Sequence, residues 1–236
     1  MRSGLGKDDA YVGIKGGKSA ASHGHDDMGA FVFDADGVRW ALELGANPYA
    51  SAEKWRGTID LWDNWAKEPK RWRVLRCSNR GHNLVTVDGM ASDNFAFAEF
   101  RNMDFGVGRA KAELDLTATS RRVASRHVRR FELDKAEKGL SVRDEMDGVR
   151  PGAAVTWRMF TDAVVQIAAD GVVLEKDGKR RVLSMLSSAP GAWTVRLAND
   201  LRREWDCPND GIFAVDYGLA APADGKVVLD AAFRAP

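Results

Sequence analysis

Seven Asp-Gly pairs punctuate this chain, and they constrain its fold more than any other feature of the sequence. Asp-Gly favours the type I′ turn of a tight β-hairpin, because both central residues of that turn need a positive φ angle. Most pairs separate short alternating or β-branched segments, as in "AFVFDADGVRWALEL" and "HNLVTVDGM". The pairs lie at positions 36–37, 88–89, 147–148, 170–171, 177–178, 210–211 and 224–225. This pattern predicts an all-β protein, a large antiparallel β-sandwich of many strands.

One segment has the spacing of a helix rather than a strand. It is "SAEKWRGTIDLWDNWAKE", residues 51–68, and its interior Gly57 and Thr58 are weak helix formers. Its bulky apolar residues recur at intervals of three or four: Trp55, Ile59, Trp62 and Trp65. An irregular loop packed by aromatic side chains is the alternative. No repeat, low-complexity stretch or linker divides the chain, so we expect one domain over residues 1–236.

The charge balance argues against two classes of partner. The 35 basic and 34 acidic residues give a net charge of +1, so we expect neither a nucleic acid nor an anionic membrane surface to bind. No apolar run approaches the ~20 residues that span a bilayer. The opening "MRSGLGKDDAYVGIKGG" also lacks the apolar segment of a secretory signal. An anionic substrate held by a local basic cluster remains compatible with this composition.

Two cysteines, Cys77 and Cys207, lie 130 positions apart. They lack the CxxC spacing of a structural zinc site. The sequence does not bring them into contact, so we expect two separate thiols rather than a disulfide.

The segment "SHGHDDMG", residues 22–29, holds two of the four histidines. If it enters a strand, His23 and His25 project to the same side. Glu43 in "WALELG" and His82 in "SNRGHNLVTVDG" occupy comparable positions next to apolar strands. Two imidazoles and one carboxylate are sufficient for a zinc ion with an open fourth position. A hydrogen-bonded polar turn is the alternative that these residues leave open.

Further candidates flank this constellation. Arg76 and Arg80 lie close in sequence to His82, and we expect them to contact a substrate carboxylate or sulfate. Tyr49 follows "ELGANP" and is expected to line the same cleft, with a core tyrosine as the equal alternative.

A basic stretch, "SRRVASRHVRRF", lies near the middle of the chain. We expect His127 to be an exposed residue of a strand with basic neighbours. The arginines of this stretch predict a solvated strand face, or else a basic wall facing an anionic glycan: Arg121, Arg122, Arg126, Arg129 and Arg130.

Taken together, "GGKSAASHGHDDMGAFVFDADGVRWALELGANPY" and "RGHNLVTVDG" resemble the C-terminal domain of the heparinase II/III family. That family's pattern is His-x-His, a polar gap, glycine, an apolar strand, a strand ending in an acidic residue and glycine, and a His-Asn segment leading into a strand. "HNL" stands here where "HNT" is usual. "DLTATS", "SRHVRRFELD" and "VTWRMFTDA" also resemble later strands, so the resemblance covers most of the chain.

The resemblance implies a super-sandwich fold and a single zinc ion that holds loops around a cleft. Carried over position by position, the zinc ligands are His25, Glu43 and His82, although the family more often has aspartate at the position of Glu43. His23 matches the family's catalytic-cleft histidine.

The resemblance also implies an activity. The family consists of polysaccharide lyases that cleave uronic-acid glycans, such as heparan sulfate or alginate, by β-elimination. Its members carry an N-terminal helical toroid that supplies further catalytic groups. Nothing in this chain has the pattern of a toroid. We therefore expect either a part of a longer lyase, with the toroid on the same or another chain, or a stand-alone sandwich that has lost the toroid.

Three functions therefore compete at this point. The first is the sandwich portion of such a lyase, periplasmic or secreted if the chain is part of a larger enzyme. The second is a non-catalytic, metal-stabilised sandwich that binds carbohydrate or protein. The third is a metal-dependent hydrolase that uses the same ligands.

Overall fold

The computed structural model describes residues 1–236 and contains fifteen β-strands. In chain order they are β1 (Tyr11–Ile14), β2 (Phe31–Ala35), β3 (Val38–Ala41), β4 (Val85–Val87), β5 (Glu99–Asp104), β6 (Arg109–Asp115), β7 (Arg126–Asp134), β8 (Gly139–Asp147), β9 (Ala154–Thr161), β10 (Val164–Ala168), β11 (Gly171–Lys176), β12 (Lys179–Ser187), β13 (Gly191–Leu197), β14 (Phe213–Ala220) and β15 (Val227–Arg234).

The strands form three antiparallel sheets, which confirms the all-β sandwich. One has eight strands in the order β10-β11-β12-β15-β8-β7-β6-β5, the second has the order β13-β14-β9-β4, and the third has the order β1-β2-β3. A bridge between Leu42 and Phe160 joins the end of β3 to β9, so the two smaller sheets are neighbours. The helical segments are all too short and too polar to be membrane-spanning helices.

The main core lies between these sheets and contains 33 buried residues. Phe31 on β2 packs edge-on against Phe131 of β7 and Phe233 of β15, with ring centroids 5.9 and 6.2 Å apart. Trp157 on β9 is fully buried beside the same ring. Aromatic residues from both faces therefore interlock across the sandwich.

The Asp-Gly pairs mark turns as predicted. Asp36 and Gly37 have φ angles of 56° and 73° and close the β2–β3 hairpin, which suits a type I′ turn. Asp177 and Gly178 do the same between β11 and β12, with φ angles of 52° and 71°. The pair at 147–148 instead ends β8 and leads to a strand of a different sheet.

The helix predicted over residues 51–68 is wrong for most of that range. A four-residue helix, α1 (Tyr49–Ala52), leads into a 3-10 turn, Glu53–Trp55, and the remainder is irregular. The other 3-10 turns are Lys70–Arg73, Leu75–Cys77, Asn79–Gly81 and Ala198–Leu201. The alternative, an irregular loop packed by aromatic side chains, describes this segment better: Ile59 is buried in a small cluster against which Trp55 packs. Trp62 and Trp65 are exposed, so the apolar spacing does not mark one buried face.

Candidate functional site

The predicted ligands come together from three loops at one end of the small sheets. His25 precedes β2, Glu43 follows β3, and His82 precedes β4. The rings of His25 and His82 have centroids 5.3 Å apart, and Nδ1 of His82 is hydrogen-bonded to the Glu43 carboxylate. Residues up to 57 positions apart in sequence therefore form one cluster.

Asn83 fixes the position of its neighbour His82. Its buried side-chain amide donates to the carbonyls of Phe31, at 2.7 Å, and Leu42, at 2.9 Å. Its side-chain oxygen accepts the backbone N–H of Phe160 at 2.8 Å. Three strand ends are thus tied to the residue beside the cluster, which explains why asparagine is needed in the "HN" pair.

Arg129 supports the same loops from beneath. Its guanidinium is fully buried, pairs with both oxygens of Asp144 at 2.7 and 2.9 Å, and donates to the carbonyls of Gly29 and Asn83 at 2.8 and 2.9 Å. The interpretation of Arg129 as part of a solvated face or a glycan-facing wall is therefore wrong. Gly29 has a φ angle of 90°, and a Cβ there would lie 3.0 Å from Leu116, so glycine suits this close approach.

His127 is buried as well, which contradicts its predicted exposure. Its Nε2 lies 3.0 Å from the Asp144 carboxylate, and its Nδ1 lies 2.8 Å from the Ser120 hydroxyl. It belongs to the buried Arg129–Asp144 network and lies outside the candidate metal cluster.

Electrostatics distinguishes the two clustered histidines. Burial, together with the nearby charges of His82, Arg71 and Lys15, lowers the pKa of His25 to about 3. Burial also disfavours the charged form of His82, but the Glu43 carboxylate outweighs it and raises the pKa of that ring. His25 is thus neutral near pH 7, as a metal ligand must be.

The donor set suits a zinc ion in kind. Nε2 of His82 is buried and has no hydrogen-bond partner, an arrangement that costs free energy unless a ligand satisfies the atom. Two imidazoles and a carboxylate are ligands that zinc accepts. No group of three or more His, Cys, Asp or Glu side chains is arranged as a formed metal cage.

Two aspartates back the cluster. Asp26 is fully buried, donates its backbone N–H to Cys77 and accepts the N–H of Ser92 at 3.0 Å. Asp27 lies 3.6 Å from the Lys15 ammonium. Burial raises the pKa of both carboxyls.

His23 and His25 have different neighbours, and the strand that would project both side chains to one side does not form. Residues 22–29 form no strand, and His23 has a φ angle of 59°. Its exposed ring places Nδ1 2.8 Å from the Tyr49 hydroxyl. Tyr49 in turn stacks at 4.3 Å on Trp62, an exposed indole, so the three rings form a surface beside the cluster.

The two arginines near His82 differ in their contacts. Arg76 is committed to the protein, since it donates to Asn209, Ala46 and Pro208 at distances of 2.8 to 3.0 Å. The Arg80 guanidinium has no hydrogen bond or ion pair. Burial and the neighbouring Arg203 lower the pKa of Arg80.

The sequence interpretation missed Arg71. This arginine is almost fully buried and contacts the loop of His23, yet it stands in "EPKRWRVL" among exposed cations such as Arg73. No periodic pattern in that stretch separates a buried arginine from an exposed one.

A profile of the family "Heparinase II/III-like, C-terminal" matches residues 4–229. The chain belongs to this family. A search of curated protein sequences found no match to this chain.

Solved heparinase structures share the fold. Heparinase III superposes with a TM-score of 0.71 at 12% identity and covers 100% of this chain. The heparan sulfate lyase HepC from Pedobacter heparinus has a TM-score of 0.70 at 16% identity over 99% of the chain. The match occupies only 35% and 34% of those two proteins, so the heparinase II/III-like chain spans about a third of their length.

Proposed function

We propose that this chain is the sandwich portion of a polysaccharide lyase that cleaves uronic-acid glycans by β-elimination. The observation that carries the proposal is the exposed His23–Tyr49 pair beside the buried His25–His82–Glu43 cluster. The family to which the chain belongs supports the reaction class.

In this proposal a zinc ion is held by His25, Glu43 and His82. The unpartnered Nε2 of His82 and the neutral His25 ring supply lone pairs, and Glu43 supplies negative charge. When bound, the ion would join the three loops that carry its ligands, and its role would be structural rather than the activation of water.

β-Elimination requires three kinds of functional group from the protein. A base removes the proton at C5 of the uronic acid, an acid protonates the departing oxygen at C4, and a positive group stabilises the carboxylate as its charge develops. His23 is exposed and holds its ring in a hydrogen bond with Tyr49, so it can accept a proton or stabilise the carboxylate at this surface.

The proposed substrate contacts are the aromatic rings next to His23 and the arginines close in sequence to His82. Trp62 and Tyr49 offer aromatic faces on which a sugar ring can stack. Arg80 brings a guanidinium without a protein partner, suited to a carboxylate or sulfate, whereas Arg76 contributes by holding the loop beside it. The substrate class is therefore an acidic polysaccharide, a glycosaminoglycan or alginate.

The remaining catalytic groups come, in this proposal, from a helical toroid on the same chain or on another. The span of only about a third of each solved heparinase supports this division. A periplasmic or secreted location accompanies such a substrate. A non-catalytic binding sandwich is the competing function, favoured by the same partial span.

The test is product analysis on a panel of heparan sulfate, alginate and neutral glycans, with the chain joined to a helical domain of the family. Elimination yields an unsaturated uronate that absorbs in the ultraviolet, without consumption of water. Hydrolysis yields a new reducing end without that absorbance. Formation of unsaturated uronate from the acidic glycans but not from the neutral ones supports the lyase. Binding of a glycan without any product supports the non-catalytic sandwich.

A further inference from the structure

Arg71 lies beneath the His23–Tyr49 pair and is only 2% exposed. Its Nε donates to the carbonyl of Gly24 at 2.7 Å, and its Nη2 donates to the carbonyl of His23 at 3.2 Å. Its Nη1 donates to the carbonyl of Leu61 and lies 3.4 Å from the Tyr49 hydroxyl.

These acceptors are all uncharged, and no carboxylate lies within ion-pair distance of Arg71. Burial of a cation without an opposite charge is costly, so folding stability alone would be better served by an apolar side chain. Arg181, another buried arginine, differs in that it pairs with Asp36. The contacts of Arg71 therefore point to a role in shaping the loops.

Apart from Arg71, the loop that carries His23 is held by backbone hydrogen bonds on either side of this residue, from Gly24 to Ala21 and from Asp26 to Cys77. His23 is in the left-handed region at a φ of 59°, a conformation that costs a residue other than glycine free energy unless its surroundings impose it. The loop lies outside every strand. The contacts from Arg71 to the carbonyls of His23 and Gly24 restrain the backbone at this point.

We propose that Arg71 is a positioning residue. It holds the backbone of the His23 loop and the Tyr49 hydroxyl in one guanidinium plane, so that the His23 ring stays hydrogen-bonded to Tyr49 at the surface. The planar fork carries this function, because lysine offers charge without the fixed spacing of five donors. The catalytic importance of this geometry rests on the proposed lyase function. The contacts of Arg71 with the His23 loop and Tyr49 are independent of that function.

The geometry is tested by NMR on the full chain with labelled histidine and tyrosine. The readout is the NOE between the ring protons of His23 and Tyr49, whose centroids are 5.8 Å apart. We expect this NOE in the wild type and in Arg181→Lys, the matched buried-arginine control. We expect it to vanish in Arg71→Lys and Arg71→Gln, while the NOE between His25 and His82 is kept in all four proteins.

An activity readout then separates positioning from general stability. In a lyase-active, toroid-linked form, Arg71→Lys is expected to lower kcat about 100-fold with KM little changed, as for a misplaced reacting group. An inactive wild type would refute the proposed function and leave the NOE result standing.

The inference is overturned if the His23–Tyr49 NOE persists in folded Arg71→Lys and Arg71→Gln proteins. It is also overturned if neither variant folds while Arg181→Lys does, because Arg71 would then serve the fold as a whole. An unchanged kcat in an active Arg71→Lys enzyme would contradict the link to catalysis.

Discussion

The His82 ring is divided between two environments: Nδ1 is hydrogen-bonded to the Glu43 carboxylate, whereas Nε2 is buried without a partner. A carboxylate on one imidazole nitrogen commonly orients a ring whose other nitrogen binds a metal. Glu43 is also a candidate ligand here, so it can orient the His82 ring toward the ion and can also bind the ion directly.

The first prediction concerns metal binding. We expect the wild type to bind zinc and a chelator to lower its melting temperature, by an amount equivalent to about 2.7 kcal/mol at a zinc concentration 100 times Kd. His82→Ala should lose zinc, and Glu43→Asp should keep it, since both acidic side chains ligate zinc. Elemental analysis and thermal melts measure this, and a chelator-insensitive melting temperature in the zinc-loaded protein would contradict a structural metal.

The second prediction concerns Arg129. Arg129→Met leaves the fully buried Asp144 without its main partner, so we expect the free energy of unfolding to fall by about 3–5 kcal/mol. Arg130→Met, on the adjacent position of β7, removes half-exposed ion pairs and should cost about 0–1 kcal/mol. Urea denaturation of both variants compares them, and equal losses would refute the structural role of Arg129.

The third prediction concerns acid stability. Burial opposes ionisation of Asp144, but Arg129 and His127 outweigh it and hold the pKa of this carboxyl below its usual 3.8. Its contribution to stability is therefore complete above pH 3.8 and is lost as the pH falls through the lower folded value. Unfolding free energies measured downward from pH 6 should drop more steeply for wild type than for Asp144→Asn; parallel curves would contradict this assignment.

The fourth prediction concerns the two free thiols. Burial raises the pKa of Cys77 to about 11, so this thiol is protonated and shielded near neutral pH. Cys207 is partly exposed. A thiol reagent should modify Cys207 in the folded protein and Cys77 only after unfolding, with Cys207→Ser as the control. Rapid modification of folded Cys207→Ser would refute the burial of Cys77.

Local sequence features were sufficient for the sandwich. The Asp-Gly turns depend only on φ angles, and the hairpins at Asp36–Gly37 and Asp177–Gly178 follow from them directly. Strand alternation also predicts that His127, Arg129 and Phe131 lie on one face of β7, and all three are buried in the structure.

The site depended on contacts that no local pattern reveals. The separation of Arg71 from Gly24 is 47 residues, and that of Arg129 from Gly29 is 100 residues. The left-handed turn at His23 broke the strand alternation assumed for residues 22–29 and sent the two histidines to different neighbours. Loop geometry of this kind is set by tertiary packing.

The rate at which unsaturated uronate forms from an acidic glycan tests the central claim most directly. The measurement compares wild type with His23→Ala and Tyr49→Phe, each joined to the same helical domain. We expect a clear rate in the wild type, a loss of about 100-fold or more in His23→Ala, and a smaller loss in Tyr49→Phe. A wild-type rate that His23→Ala leaves unchanged would contradict the proposed role of His23, and no product from any uronic-acid glycan would contradict the lyase itself.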